Sequence, residues 1–336
     1  MVHFLKMALL TPAILLFFAC NASASQADWM QFKQLYVSPE GRVIDASQGN
    51  ISHSEGQGFS MLLATHYKDK EAFDRIWQWT KKNLQVRSDH LLAWRWVPAS
   101  GITDKNNASD GDLLVAWALL RASKEWHSPE YLKASGEIAK DVRTKMIFKA
   151  PQGLVLLPGE NGFSGTDGAT VNLSYWVFPA LDEIGQADPS PQWSELEKTG
   201  MTILGYARFG RWGLPPDWLV LTKLVTPSPR FPKRFGYDAI RIPLYLIWSK
   251  RESAALLKPY RDFWNYFKDA KFLPAWTNLD DDSVDSYDSS LGIHALAKWV
   301  TGYPSAFSGK VQVGDGYYSS ALSLLADMAR QERGSR

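Results

Sequence analysis

The chain has 336 residues, 45% apolar and 21% charged, with 24 Gly, 18 Pro and one Cys, which excludes a disordered chain, a low-complexity or collagen-like protein and a disulfide scaffold. Lys and Arg number 37 against 35 Asp and Glu; a net charge of +2 offers no general affinity for nucleic acid or an anionic membrane. The 15 Trp, with 13 Tyr and 16 Phe, point instead to a large core, an aromatic-lined groove, or both.

Residues 1–24 read as a secretory signal peptide. His3 and Lys6 open it, Met7–Ala19 is apolar apart from Thr11 and Pro12, and Ala22-Ser23-Ala24 offers a small-x-small site for cleavage near Ala24. The apolar run falls short of the about 20 residues that a membrane span needs. Lipidation at Cys20 is the alternative, disfavoured by Phe17 and Phe18, which stand where small or branched residues are wanted. Either way the chain leaves the cytoplasm, for the periplasm or the outside. The mature chain, 25–336, carries no thiol and is expected to be a single domain and a monomer without a membrane span.

The remainder reads as helix after helix. An opening helix near Trp29–Leu35 is followed by Glu55–Lys68, with Phe59, Leu62 and Leu63 at i, i+3 and i+4, and by Ala72–Leu84. Asp112–Trp126 has the clearest spacing, with Leu113, Ala116, Trp117 and Leu120 on one stripe. Pro129–Met146, Leu173–Ile184, Trp193–Ala207, Ala239–Ser249, Glu252–Phe267, Ser289–Val300 and Gly316–Arg330 complete eleven candidates. Pro- and Gly-rich stretches separate them, period-2 alternation is confined to short pieces such as Gly153–Leu157, and no stretch resembles a linker. About a dozen medium helices in one all-α domain suggest paired helices closed into a ring, an α/α toroid. Trp77, Trp117 and Trp248 lie on apolar helix faces and are assigned to the core.

Several chemistries lack their signatures. His53, His66, His90, His127 and His294 form neither an i,i+4 pair nor an H-E-x-x-H, and there is no G-x-S-x-G, phosphate-binding loop or dinucleotide fingerprint. The acidic run Asp280–Asp285 invites a calcium reading, but it lacks the Gly and Glu of an EF-hand loop and reads better as a solvated polar loop. Neither a metal nor a cofactor is implied.

Carboxylates near helix starts remain, in three segments: Ser52–Phe59 around Glu55, Asn107–Leu113 around Asp110 and Asp112, and Phe235–Pro243 around Asp238. In a helical toroid many helix starts gather at one mouth, so three distant acids could meet there. Each segment also has a plainer reading. Ser52-x-x-Glu55, Ser54-x-x-Gln57 and Ser109-x-x-Asp112 have the form of capping boxes, and Asp238 with Arg241 has the spacing of a surface ion pair.

The stretch Ala108-Ser109-Asp110-Gly111-Asp112-Leu113-Leu114-Val115-Ala116 through Trp126 resembles the signature of glycoside hydrolase family 8, with Val115 where the pattern has Ile or Met. Ser54-Glu55-Gly56-Gln57 resembles that family's general-acid motif, and Tyr237-Asp238-Ala239-Ile240-Arg241 its general-base motif. Ala93-Trp94-Arg95-Trp96, Leu156-Leu157-Pro158-Gly159, Ser174-Tyr175 and Gly316-Tyr317-Tyr318 follow in the family's order. The resemblance is closest to the bacterial endo-β-1,4-glucanases associated with cellulose synthesis.

The resemblance implies an (α/α)6 barrel and hydrolysis with inversion, Glu55 being the general acid and Asp238 the general base. Arg241, one turn on, would favour the ionised base. The helix N-terminus favours the charged form of Glu55, against what an acid requires; Asp110 would oppose that and would also hydrogen-bond a sugar hydroxyl. Asp112 is assigned to structure. Trp94 and Trp96 share a side if extended and could stack on glucan faces, while Tyr175, Arg241 and Tyr318 would line the cleft. The implied partner is a β-1,4-glucan chain, with a cellulose synthase complex as a possible associate. Xylan, chitosan or mixed-linkage glucan as substrate, or a non-catalytic glucan-binding accessory of cellulose export, are the alternatives.

Overall fold

The computed structural model describes residues 26–165, 168–302 and 309–334; the expected signal peptide, 1–24, lies outside them. The described helices are α1 (Gln26–Tyr36), α2 (Ser54–His66), α3 (Lys70–Asn83), α4 (Ser109–Glu125), α5 (Pro129–Lys145), α6 (Phe178–Ile184), α7 (Pro191–Tyr206), α8 (Arg241–Trp248), α9 (Ala254–Tyr266), α10 (Leu291–Thr301) and α11 (Tyr317–Gly334). They form an (α/α)6 barrel. Inner helices α2, α4, α6, α8 and α11 are buried on most sides, whereas α3, α5, α7 and α9 between them bury one face. Packing of α11 on α2 and α1 closes the ring.

The core is one continuous apolar cluster that includes Trp29, Phe59, Phe73, Trp117, Trp176, Phe235 and Tyr245. Trp77, Trp117 and Trp248 lie in it as expected, the last two with ring centroids 5.1 Å apart. The tightest seam runs between α2 and α4. A side chain at Gly58 would meet Leu114 Cβ at 2.6 Å, and one at Gly111 would meet Ser54 Oγ at 2.1 Å. Only hydrogen at both positions lets the two helix starts, and so Glu55 and Asp110, come this close.

Two expectations about local structure need correction. The segment 173–184 is not one helix: a single 3-10 turn at Leu173–Tyr175, capped by Asn172, precedes α6, which starts with Pro179 in its first turn. The chain also carries more strand than alternation suggested, in pieces of two to four residues too short to show a period. They are β1 (Ser52–His53), β2 (Arg95–Trp96), β3 (Ile147–Ala150), β4 (Gly153–Leu156), β5 (Ser164–Gly165), β6 (Gly168–Val171), β7 (Leu219–Leu221), β8 (Val225–Pro227), β9 (Arg234–Phe235) and β10 (Thr277–Asn278). Strands β5-β6-β7-β8 make an antiparallel sheet, and β1-β2, β3-β4 and β9-β10 make two-stranded ladders.

None of the three capping boxes forms. The cap of α2 is His53, whose Nδ1 accepts the Gly56 N–H at 3.0 Å. Gln57 turns inward, accepting from Val43 N–H at 2.7 Å and donating to Thr80 Oγ1 at 2.7 Å. Helix α4 has no side-chain cap. Asp112 instead ties the loops to the barrel, accepting from Leu92 N–H at 2.8 Å and from the Asn107 amide at 2.8 Å, fully buried. Each acid of the 280–285 run is likewise used locally: Asp280 pairs with Lys233, Asp281 accepts from Ser283, Asp282 from Arg211 N–H and Asp285 from Ala275 N–H.

Asp112 makes a checkable contribution to stability. Asp112→Ala leaves two buried donors without an acceptor and is expected to cost about 3 kcal/mol in urea unfolding. Burial raises the Asp112 carboxyl to about 7, whereas an unfolded Asp titrates near about 4. Its contribution is therefore full at the acid end and is lost as pH rises through about 7. Asp112→Asn should flatten that part of the stability–pH curve.

Candidate active site

The N-termini of four inner helices open at one mouth. Glu55 is the second residue of α2, Asp110 the second of α4, Arg241 the first of α8, and Tyr317 and Tyr318 the first two of α11. The gathering of acids expected of a toroid is thus what the fold provides for Glu55, Asp110 and Asp238. Asp238 sits in the turn before α8 rather than in the helix.

Arg241 is the centre of this cluster, and it is 4% exposed, not a surface residue. Its Nη1 lies 3.0 Å from Glu55 Oε1, and its Nη2 lies 3.1 Å from Asp238 Oδ1 and 3.6 Å from Asp110 Oδ2. Nη2 also donates to Ser174 Oγ at 3.0 Å. The surface ion-pair reading of Asp238 and Arg241 is therefore replaced by a buried hub. Burial works against the Arg241 charge, but Glu55, Tyr318 and Asp238 around it hold it firmly protonated.

The electrostatics depart from expectation at two acids. Burial pushes Asp110 well above the usual carboxylate range, and the charge of Glu55 adds to the push. Asp110 is thus itself driven toward the neutral acid, rather than serving as a fixed negative charge. Burial also raises Asp238, and this outweighs the opposing pull of Arg241. A carboxylate moved upward is a stronger base.

Asp238 is held from behind by a residue that sequence reasoning passed over. Asp217 Oδ1 accepts the backbone N–H groups of Gly236, Asp238 and Ala239 at 3.0, 3.2 and 2.9 Å, and its Oδ2 accepts Arg234 Nε at 3.2 Å. Burial, with Asp238 nearby, raises it to about 6. An acid directly after Pro215-Pro216 within the apolar run Leu214–Leu221 was the available signal. His53 was also passed over, although it precedes Ser54-Glu55 at the position where a helix needs an acceptor.

A pocket of about 480 Å³ opens on Glu55, Asp238 and Arg241 and is walled by Asp45, Ser47, Gln48, His53, Tyr237, Tyr317 and Tyr318. Tyr318 Oη donates to the Tyr237 carbonyl at 2.6 Å, and Tyr237 and Tyr287 hydroxyls stand 3.0 Å apart. Tyr175 packs against Trp218, itself stacked between Phe163 and Phe231. Trp94 and Trp96 are both half-buried and both already engaged. Trp96 is taken up by Trp79, edge-on at 5.8 Å, and by Arg42 over its ring. Trp94 Nε1 donates to Asp104 at 3.0 Å, and Arg95 lies over its ring at 4.6 Å.

Comparison with known proteins gives a consistent result. Residues 2–332 match the family described as "Glycosyl hydrolases family 8". A "Probable endoglucanase" of Novacetimonas hansenii is 40% identical over 322 residues, covering 94% of this chain and 92% of that one. The crystal structure of endoglucanase Cel10, a family 8 glycosyl hydrolase from Klebsiella pneumoniae, superposes with a TM-score of 0.88 at 38% identity, covering 92% of this chain and all (100%) of that one. The endo-beta-1,4-glucanase CMCax from Acetobacter xylinum gives 0.84 at 38% identity, over 92% and 98% of the two chains.

The hub itself is testable without an assay. Arg241→Met leaves three crowded carboxylates without their cation and should cost about 3 kcal/mol of stability at neutral pH. The deficit should shrink as pH falls and the acids take up protons. An unchanged urea midpoint at neutral pH would contradict this picture.

Proposed function

The chain belongs to glycosyl hydrolase family 8 and is a glycoside hydrolase, and on that footing we propose that it cleaves internal β-1,4 bonds of a cellulose-type glucan with inversion. The observation that carries the proposal is one buried guanidinium joined to three carboxylates at the common mouth of the inner helices. Similarity to endoglucanases over most of the chain supports the substrate class.

In this reading Glu55 gives its proton to the glycosidic oxygen as the bond to the anomeric carbon breaks. Asp238 takes a proton from the water that forms the new bond on the opposite face. Asp110, pushed toward the neutral acid, has an O–H to offer a sugar oxygen beside the scissile bond. Arg241 keeps the three acids apart and in register. Tyr175 and Tyr318 are walls of the cleft. Trp94 and Trp96 each carry an arginine over the ring, and Trp96 also packs on Trp79, so Trp94 is the less crowded of the two for stacking.

Residues 1–24 act, in the same reading, as a secretory signal, and the catalytic domain, 25–336, works in the periplasm or outside the cell. Among the described residues no helix is long and apolar enough to cross a membrane. A working association with a cellulose synthase complex rests on the family resemblance.

Hydrolysis of carboxymethylcellulose by the mature chain, beside Glu55→Gln and Asp238→Asn, tests this. The wild type should lower viscosity rapidly and release the α-anomer first, as seen by proton NMR. Each variant should lose about a hundred- to ten-thousandfold in kcat while still binding cello-oligosaccharides. Activity on xylan or chitosan alone would change the substrate and keep the mechanism. Binding without turnover on any polymer would favour a glucan-binding accessory role.

A further inference from the structure

Helix α2 carries Glu55, and the way that helix begins is unusual. An N-cap is ordinarily a hydroxyl, amide or carboxylate oxygen. Here the acceptor is an imidazole nitrogen: His53 Nδ1 takes the Gly56 N–H at 3.0 Å. An imidazole accepts at Nδ1 only when that nitrogen is unprotonated, so the ring is held with its proton on Nε2. Nε2 faces Asp45, 3.7 Å from Oδ2. Asp45 is itself tied down by Ser47 N–H, Ser47 Oγ and Gln48 Nε2. Burial opposes its charge, but the hydrogen bonds from Ser47 and Gln48, with His53 close by, hold its carboxyl down at about 2.

The same ring lies beside the reacting acid: Nδ1 is 3.9 Å from Glu55 Oε2. Tyr317 of α11 packs edge-on against it, centroids 5.6 Å apart, and Arg95 pairs with it across the β1-β2 ladder. Gly56 makes the arrangement fit, because a side chain there would meet Tyr317 Oη at 2.9 Å and the imidazole at 3.1 Å.

We propose that His53 is a positioning residue for Glu55, effective only as the neutral Nε2–H tautomer braced by Asp45. A second proton on His53 would turn Nδ1 into a donor. It would then repel the Gly56 N–H, freeing the start of α2. It would also draw the Glu55 carboxylate into an ion pair and hold it ionised, away from the glycosidic oxygen. The charged groups that face His53 are Asp45, Glu55 and Arg95, with Arg241 behind Glu55. The inference rests on Glu55 acting as the acid, but its structural half does not.

Nitrogen-15 NMR of the full chain, histidine-labelled and assigned with His53→Thr, reads the tautomer. His53 should appear as the neutral Nε2–H form at neutral pH. A charged ring or an Nδ1–H form there overturns the proposal, even if no substrate is ever turned over. Kinetics reads the consequence. Threonine supplies a cap oxygen in place of the imidazole nitrogen, so His53→Thr should keep more of the wild-type kcat than His53→Ala. His53→Ala should lose about five- to tenfold in kcat at all pH values with KM little changed. If the Ala variant keeps wild-type kcat, or the Thr variant restores none of what the Ala variant loses, His53 does not position the acid. Loss of all wild-type activity would remove the Glu55 reading and leave the tautomer measurement standing.

Discussion

Everything at the mouth of the barrel depends on one buried cation. An arginine removed from water is tolerated only where charge and hydrogen bonds replace its hydration. Arg241 finds three carboxylates, the Ser174 hydroxyl and the Tyr237 carbonyl. The balance is uneven, since one positive charge serves three acids. Two things relieve the excess. The acids Glu55 and Asp110 lie in the first turns of their helices, where the backbone dipole favours negative charge. Asp110 and Asp238 are also driven by burial toward their protonated forms. The site is therefore not three fixed anions around a cation. It is a small cluster in which burial favours the protonated forms of Asp110 and Asp238 beside the Arg241 cation.

That cluster exists because the helices approach closely. Gly58 and Gly111 remove the side chains that would otherwise separate α2 from α4. Asp112, one residue past Gly111, looks the other way and binds the Leu92–Asn107 loop region. Two acids two positions apart thus serve unlike ends: Asp110 faces Arg241 and Asp112 holds the wall. The helical period explains the split, since residues two apart point to nearly opposite sides of a helix.

Much of this was legible in the sequence, and the limits are instructive. Helices with a clear apolar stripe, such as α4, appear within a few residues of their observed bounds. Glu55, Asp110, Asp238 and Arg241 were singled out as helix-start acids and a neighbouring cation, and the fold brings all four together. The capping boxes were wrong because a Ser-x-x-Gln pattern does not say where its side chains point; Gln57 serves the core and Ser54 lies against Gly111. Asp217 and His53 were missed for a shared reason. Their partners are backbone N–H groups, which leave no trace in residue identity. Asp217 in addition reaches a loop about twenty positions on, beyond any local pattern.

The acid Asp238 and the aromatic wall are parts of one closed circuit of contacts. In the ladder Val171 pairs with Leu219, so Asn172 and Trp218 leave the sheet at the same end. Asn172 accepts from Ser174, and Ser174 accepts from Arg241, which pairs with Asp238. Asp217, next to Trp218, holds the backbone of Asp238, and Trp218 packs on Tyr175, next to Ser174. Each link is weak alone, but a closed circuit removes the independent motion of every member. A sugar pressed against Tyr175 would therefore meet a wall whose position is set by the residues that fix Asp238. If Asp238 is the base, as proposed, contact energy made along the wall would hold it in line, which is how binding remote from a scissile bond raises the rate of the chemical step.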